Sequence, residues 1–70
     1  MKIEIIEVDY KAEPGLLTLR DCGFHPGDVV EVSGHYFDGD LSIRVIRGTK
    51  FASIGNEVSI SEHEYKVVEE

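Results

Sequence analysis

The chain has 70 residues, of which 41% are hydrophobic, and it carries 14 acidic and 7 basic residues for a net charge of -7. This length makes one domain, residues 1–70, and the hydrophobic fraction excludes a disordered chain. The acidic excess is spread over both halves of the chain, so nucleic-acid backbones repel it at long range and direct nucleic-acid binding is disfavoured.

Apolar runs and the cysteine count exclude two further classes of protein. The longest uninterrupted apolar runs have two residues, whereas a membrane-spanning helix needs about 20, so we expect no membrane insertion. The start of the chain mixes carboxylates with its apolar residues, unlike the apolar core of a secretory signal. Cys22 is the single cysteine, which excludes an internal disulfide and is typical of a reducing compartment. We therefore expect a cytoplasmic location.

The first strand is predicted at residues 2–10, where isoleucine and valine alternate with charged side chains. A slip in this alternation moves the later apolar positions to a new face, as a β-bulge does. The two groups are Ile3 with Ile5, and then Ile6 with Val8 and Tyr10.

Three turn signals follow the first strand. Residues 11–15 end in Pro-Gly, residues 21–24 contain a glycine, and residues 25–28 read His-Pro-Gly-Asp. The last is a tight reversal, because proline presets the first turn dihedral and glycine tolerates positive φ. Residues 16–19 are a short apolar run, either a strand or one turn of helix, and we favour the strand. Phe24 is expected to anchor the loop to the core.

A β-hairpin is the clearest element of the sequence. Residues 28–37 form one strand, in which Val30 and Val32 point to one face and Gly34 marks either a bulge or a close backbone approach. Residues 38–40, Asp-Gly-Asp, form the turn. The second strand places Leu41, Ile43 and Val45 inward and Ser42 and Arg44 outward.

The last third of the chain continues in short elements. Residues 51–54 and 57–60 are predicted strands, and residues 65–68 are a final strand. Before it, Ser61 to Glu64 match the Ser-x-x-Glu capping pattern, which predicts one turn of α- or 3₁₀-helix. Five or six short antiparallel strands with a single helical turn before the last describe an all-β fold, a small SH3-like barrel. The predicted core consists of Ile3, Ile5, Val8, Leu19, Val30, Val32, Leu41, Ile43, Val45, Ile54, Val58 and Val67.

Two resemblances to known proteins follow from these motifs. The stretch Gly-Phe-His-Pro-Gly-Asp-Val-Val-Glu-Val at residues 23–32, with Gly-Asp-Leu-Ser-Ile-Arg-Val at residues 39–45, resembles the middle of bacterial ferrous-iron-transport accessory (FeoA-like) domains, over residues 19–47. Those domains are SH3-like barrels, and the resemblance implies an accessory role through contact with a membrane transporter. The closing residues 63–69 are similar to the tails of small acidic SH3-like proteins encoded by bacteriophages.

Catalytic and metal sites are disfavoured by the sequence. His35 with Asp38 and Asp40 is the best candidate for a metal cluster, but it lacks the spacing of a metal site, and turn chemistry explains the aspartates. Cys22 beside a turn is typical of a small buried hydrophobe and not of a nucleophile. We therefore expect neither an enzyme nor a bound metal or cofactor.

The remaining hypothesis concerns partner binding, because SH3-like barrels often present loop aromatics to a peptide or another domain. Covering a small core is the alternative role for these rings. The sequence favours an acidic, non-catalytic protein–protein interaction module, a phage-encoded inhibitor or adaptor of a host protein with a basic surface. The iron-transport accessory domain is the alternative function, and the oligomeric state stays open. The candidate partner-binding residues are Tyr36, Phe37, Asp38, Asp40, Tyr10 and Phe24.

Overall fold

The computed structural model describes residues 1–11 and 13–70 of the chain. It contains five short strands. The strands are β1 (Lys2–Ile5), β2 (Val29–His35), β3 (Leu41–Arg44), β4 (Glu57–Ile60) and β5 (Tyr65–Glu69), with a 3₁₀ turn at Glu62–Glu64. All neighbouring strands are antiparallel, in the order β4-β3-β2-β1-β5. The predicted all-β fold, an SH3-like barrel with one helical turn before the last strand, is confirmed. Ala12, within the predicted loop at residues 11–15, lies outside the described residues.

Strand β1 is shorter than the sequence predicts. It ends at Ile5, because the next two amides, Ile6 N and Glu7 N, both donate to the single carbonyl oxygen of Glu64, at 2.9 and 3.2 Å. Two donors on one acceptor interrupt the ladder as a bulge does. The prediction of a strand through residue 10 is therefore wrong after Ile5. The predicted common face of Ile6, Val8 and Tyr10 is wrong as well, because Val8 is buried while Ile6 and Tyr10 are partly exposed.

The apolar run at Leu16 to Leu19 is a loop that leads into a turn, and the predicted strand there is wrong. Thr18 and Asp21 bind each other's backbone: Thr18 N donates to Asp21 Oδ2 at 3.0 Å, and Asp21 N donates to Thr18 Oγ1 at 3.1 Å. This reciprocal pair closes a turn from which Leu19 enters the core. Leu16 and Leu17 stay half exposed.

An ion pair fixes the reversal before β2. Asp28 N donates to the His25 carbonyl at 3.1 Å with Gly27 at φ 95°, which confirms the predicted tight turn. The Asp28 carboxylate accepts two hydrogen bonds from Arg47, at 2.7 and 3.0 Å, and Arg47 Nη1 also donates to the Gly23 carbonyl. The Arg47 hydrogen bonds hold the pKa of Asp28 below its usual value. They join this turn to the chain after β3.

The β2–β3 hairpin forms as predicted, but β2 ends at His35, so Tyr36 and Phe37, predicted as the end of the strand, lie beyond it. Its register shifts between Val32 and Gly34, which places the expected bulge, and Gly39 turns the chain at φ 97°. The bulge brings Ser42 opposite Gly34, and Ser42 is buried instead of pointing outward. The burial of its hydroxyl is tolerated because Ser33 Oγ donates to Ser42 Oγ at 3.2 Å, and Ser33 Oγ also lies 3.0 Å from the Ser42 carbonyl oxygen.

Residues 51–54 are a loop, so the strand predicted there is wrong. Thr49 Oγ1 accepts hydrogen bonds from the Phe51 and Ala52 amides, at 3.1 and 3.2 Å, and these bonds hold the chain in a turn. The next turn carries Ile54 outward, where it is 71% exposed. Ile54 is therefore not part of the core, whereas Ala52 is.

The inner faces of the strands and two loops enclose one apolar core. Val67, predicted to be inside, is about half exposed, because it lies on the edge strand β5 with no strand beyond it. Val32 and Val58 are partly buried against the core. Within the described residues, no helix has the length and apolar character that a membrane span requires. The buried side chains are Ile3, Ile5, Val8, Leu19, Cys22, Phe24, Val30, Leu41, Ile43, Val45, Ala52 and Ile60.

Two isoleucines offer a matched test of this core. Ile43 is fully buried, so Ile43→Ala should cost about 2–5 kcal/mol and leave much of the protein unfolded, since small domains have only about 5 kcal/mol or a little more to lose. Ile54→Ala removes the same atoms from an exposed side chain and should change stability by about 0.5 kcal/mol or less. Chemical denaturation measures both. Equal losses for the two variants would contradict the register of β3.

Candidate functional site

The turn of the β2–β3 hairpin lies beside the 3₁₀ turn. Together they line a polar cleft of about 290 Å³. Two of the predicted partner-binding residues, Asp38 and Asp40, face Glu62 and His63 across this cleft. The surface called the hairpin end below consists of Tyr10, Tyr36, Phe37, Asp38, Asp40, Glu62 and His63.

The aromatic residues at the tip of the hairpin are open to solvent. Phe37 is 111% exposed, which means that its side chain is fully open to solvent. Tyr36 is about half exposed. With His35 they border a shallow groove of about 400 Å³. Because Phe37 buries no area against the core, covering the core cannot explain its presence.

Tyr10 reaches the hairpin end from the other side. Its ring meets the His63 ring edge to face, with the centroids 4.1 Å apart and the planes at 80°. Such a T-shaped contact is a favourable geometry for aromatic rings. Tyr10 also borders a smaller cleft with Asp40, Leu16 and Leu17. The structure thus brings five of the six predicted binding residues to one end of the barrel.

Phe24 is the exception. It is fully buried in the core, where its amide donates to the Leu19 carbonyl at 3.0 Å. Its predicted role as a loop anchor is confirmed, and its predicted role in partner binding is wrong, because no atom of the ring reaches the surface.

The acidic residues of the hairpin end differ from several other acidic residues of the chain in their ion pairing. Among residues 1–11 and 13–70, no ion pair includes Asp38, Asp40 or Glu62. Their negative charge is therefore not neutralised locally. The pairs that do form lie elsewhere on the barrel: Asp9 with Arg20, Asp28 with Arg47, Glu57 with Arg44, Glu4 with Lys66, and Glu31 with the chain's amino group.

Glu64 lies beneath the hairpin end and is 5% exposed. Its Oε1 accepts a hydrogen bond from Ser61 N at 2.9 Å, the contact that the capping pattern predicts. Burial raises the pKa of Glu64 above its usual value, and the nearby Asp40 carboxylate adds to the shift. The hydrogen bond from Ser61 opposes these effects only in part.

Neither metal binding nor nucleophilic chemistry finds support in the side-chain arrangement. In the part of the chain that the structure describes, no three His, Cys, Asp or Glu side chains come together as they would around a metal ion. Cys22 is buried, and burial raises the pKa of its thiol. An activated cysteine requires the opposite shift.

Sequence reasoning missed Glu62 and His63 as members of this surface. The capping pattern predicts the turn that carries them, but nothing in the local sequence shows that this turn lies against the hairpin. A search of protein-family models, curated proteins and solved structures finds no match to this chain. The resemblances to iron-transport accessory domains and to phage proteins therefore stay hypotheses.

The buried carboxyl group predicts a pH effect on stability. Because the folded state raises the pKa of Glu64 above the usual value of 4.5, the folded state binds this proton more tightly than the unfolded chain does. The contribution is complete below pH 4.5 and is lost as pH rises through the folded pKa. Relative to Glu64→Gln, the wild-type protein should therefore lose stability from acid to neutral pH. Denaturation of both proteins across this range measures the difference, and a constant difference would contradict it.

The absence of metal binding stays a prediction, and thermal denaturation tests it. A ligand at 100 times its dissociation constant stabilises a protein by about 2.7 kcal/mol, which a melting curve detects easily. We expect no shift on titration with zinc or ferrous iron. A shift that a chelator reverses and that His35→Ala abolishes would establish the metal site instead.

Proposed function

We propose that the protein is a non-catalytic interaction module whose hairpin end docks on a basic surface of a protein partner. The observation that carries this proposal is the fully exposed Phe37 next to acidic residues that have no ion-pair partner among the described residues. An exposed aromatic ring is costly in water and is typical of the anchors that protein interfaces bury.

The charges supply attraction at long range. Asp38, Asp40 and Glu62 lie together at one end of a chain with net charge -7. Their field extends over roughly a Debye length, about 8 Å at physiological salt, and speeds encounter with an oppositely charged surface. A basic surface of the kind that normally holds nucleic acid meets this requirement.

The aromatic rings supply attraction at short range. Tyr36 and Phe37 lie on a projection directly beyond the end of β2, and Tyr10 is held in place by its contact with His63. A ring that is already positioned, as that of Tyr10 is, loses little conformational entropy on binding. Acidic residues that speed encounter and aromatic rings that hold the complex together are what an inhibitor or adaptor protein requires. The resemblance to phage proteins supports this role.

The first experiment identifies the partner. Tagged wild-type protein and a tagged variant, Phe37→Ala with Asp38→Asn and Asp40→Asn, are used in parallel to capture proteins from host lysate, and mass spectrometry compares the two. A partner retained by the wild-type protein alone, with a basic surface, supports the proposal. Recovery of a membrane transporter instead would favour the iron-transport alternative. Equal recovery by both proteins would exclude the hairpin end as the docking surface.

Binding kinetics should separate the roles of the acids and the aromatics. Asp38→Asn with Asp40→Asn should slow association and flatten its salt dependence, because the steering charge is gone. Phe37→Ala should mainly speed dissociation, by about tenfold or more if the ring is a central anchor. Surface plasmon resonance at several salt concentrations measures both rates.

Controls come from the same residue types elsewhere. Glu69→Gln with Glu70→Gln removes the same charge from exposed positions at the far end of β5, and Phe51→Ala truncates a half-exposed ring outside the hairpin end. These variants should bind as the wild-type protein does. An association rate that is indifferent both to salt and to the two aspartates would mean that the acidity serves solubility alone.

A further inference from the structure

The outer face of the sheet carries a row of charges that alternate in sign from strand to strand. Glu69 on β5 pairs with Lys2 on β1, and Lys2 pairs with Glu31 on β2. Continuing the Val32–Ile43 register by one residue places Glu31 opposite Arg44, and Arg44 pairs with Glu57 on β4. Opposite charges across strands stabilise a sheet. The row is therefore close to neutral, unlike the hairpin end.

An apolar groove of about 470 Å³ runs beside this row along β2 and β3. Val29 and Ile46 line it and are 52% and 44% exposed, and Glu31 and Arg44 line it as well. The groove therefore combines exposed apolar area with one acidic and one basic side chain. Neither charge is firmly held: Glu31 lies 3.6 Å from the chain's amino group and Arg44 lies 3.8 Å from Glu57.

These long, solvent-exposed contacts stabilise the monomer little. The Glu31 and Arg44 side chains are 67% and 65% exposed, so both charged groups are free to meet a partner. A partner surface that carries only positive or only negative charge would be attracted to one of these two side chains and repelled by the other. A second copy of the same face, turned by a two-fold axis, places each Arg44 opposite the other copy's Glu31 and apposes the apolar side chains.

We propose that this face, defined by Val29, Glu31, Arg44 and Ile46, is a self-association surface that forms a two-fold homodimer. The net charge of -7 repels copies of the chain in most orientations. A face with balanced charges escapes that repulsion, which selects this orientation. The hairpin end lies on other residues, so the dimer is independent of partner docking.

The first test measures how the average molecular mass in solution depends on protein concentration. Sedimentation equilibrium of the wild-type protein, from micromolar to millimolar concentration, should show the average mass rising toward that of a dimer. Dilution followed by NMR should shift the amides of β2 and β3 and leave those of the hairpin end unchanged. A monomer at every concentration, or shifts confined to other strands, would overturn the proposal.

Charge reversal provides the sharper test. Glu31→Arg and Arg44→Glu should each be monomeric, because each places like charges face to face across the two-fold axis. Each reversal also places like charges opposite each other on β2 and β3 of its own chain, so circular dichroism first shows that both variants are folded. A mixture of the two variants should form a heterodimer, since the two arginines of the first variant then face the two glutamates of the second. Sedimentation of the mixture reports this directly. If both variants are folded and their mixture stays monomeric, the proposed charge pairing is wrong.

Matched controls account for the change in net charge. Glu13→Arg and Lys11→Glu alter the net charge by the same amounts as the two reversals, at exposed positions outside the groove. Each should dimerise as the wild-type protein does. Ile46→Ser should weaken the dimer, and circular dichroism should show that the variant stays folded although a half-buried apolar side chain is lost. Loss of dimer in the controls would show that net charge, and not this face, governs association.

Discussion

The carbonyl oxygen of Glu64 accepts hydrogen bonds from two successive amides, Ile6 and Glu7, while the carboxylate of the same residue accepts one from Ser61. The first two bonds end β1 and direct the chain out of the sheet, and the third closes the 3₁₀ turn. Because one buried residue makes all three bonds, the loop after β1 and the 3₁₀ turn have a fixed relation. Tyr10 meets His63 as a result, and the shape of the hairpin end depends on this constraint.

Most of what the sequence predicts correctly is encoded within a few residues. The turn at Gly39 needs a residue that tolerates positive φ, and the turn at Ser61 needs a polar group to close it; both requirements are visible locally. The inward positions of Leu41 and Ile43 in β3 follow from strict alternation, whereas the burial of Ser42 between them does not. The errors arise where distant contacts decide: Ile54 has strand-like neighbours, but Thr49 bends the preceding loop and the next turn carries the side chain outward.

The candidate surface shows the same division between local and distant information. Asp28 and Asp40 both follow a glycine in a turn and look equivalent in the sequence. In the structure, Asp28 binds Arg47, 19 residues away, while Asp40 lies among other acids. Sequence alone predicts the acidic turn and its aromatic neighbours. It does not predict which acids are neutralised, because that depends on which cations the fold brings within reach.

The two edge strands limit how copies of the chain can meet. β4 has only four residues and begins with a charged one, Glu57, while β5 carries Lys66 and Glu69 and is interrupted at Val68, the extra residue in its pairing with β1. Short, charged and bulged edges resist the addition of further strands. Contacts between molecules must then use side chains on the faces of the barrel. A two-fold contact between two such faces closes on itself, so it does not extend into fibres even at high concentration.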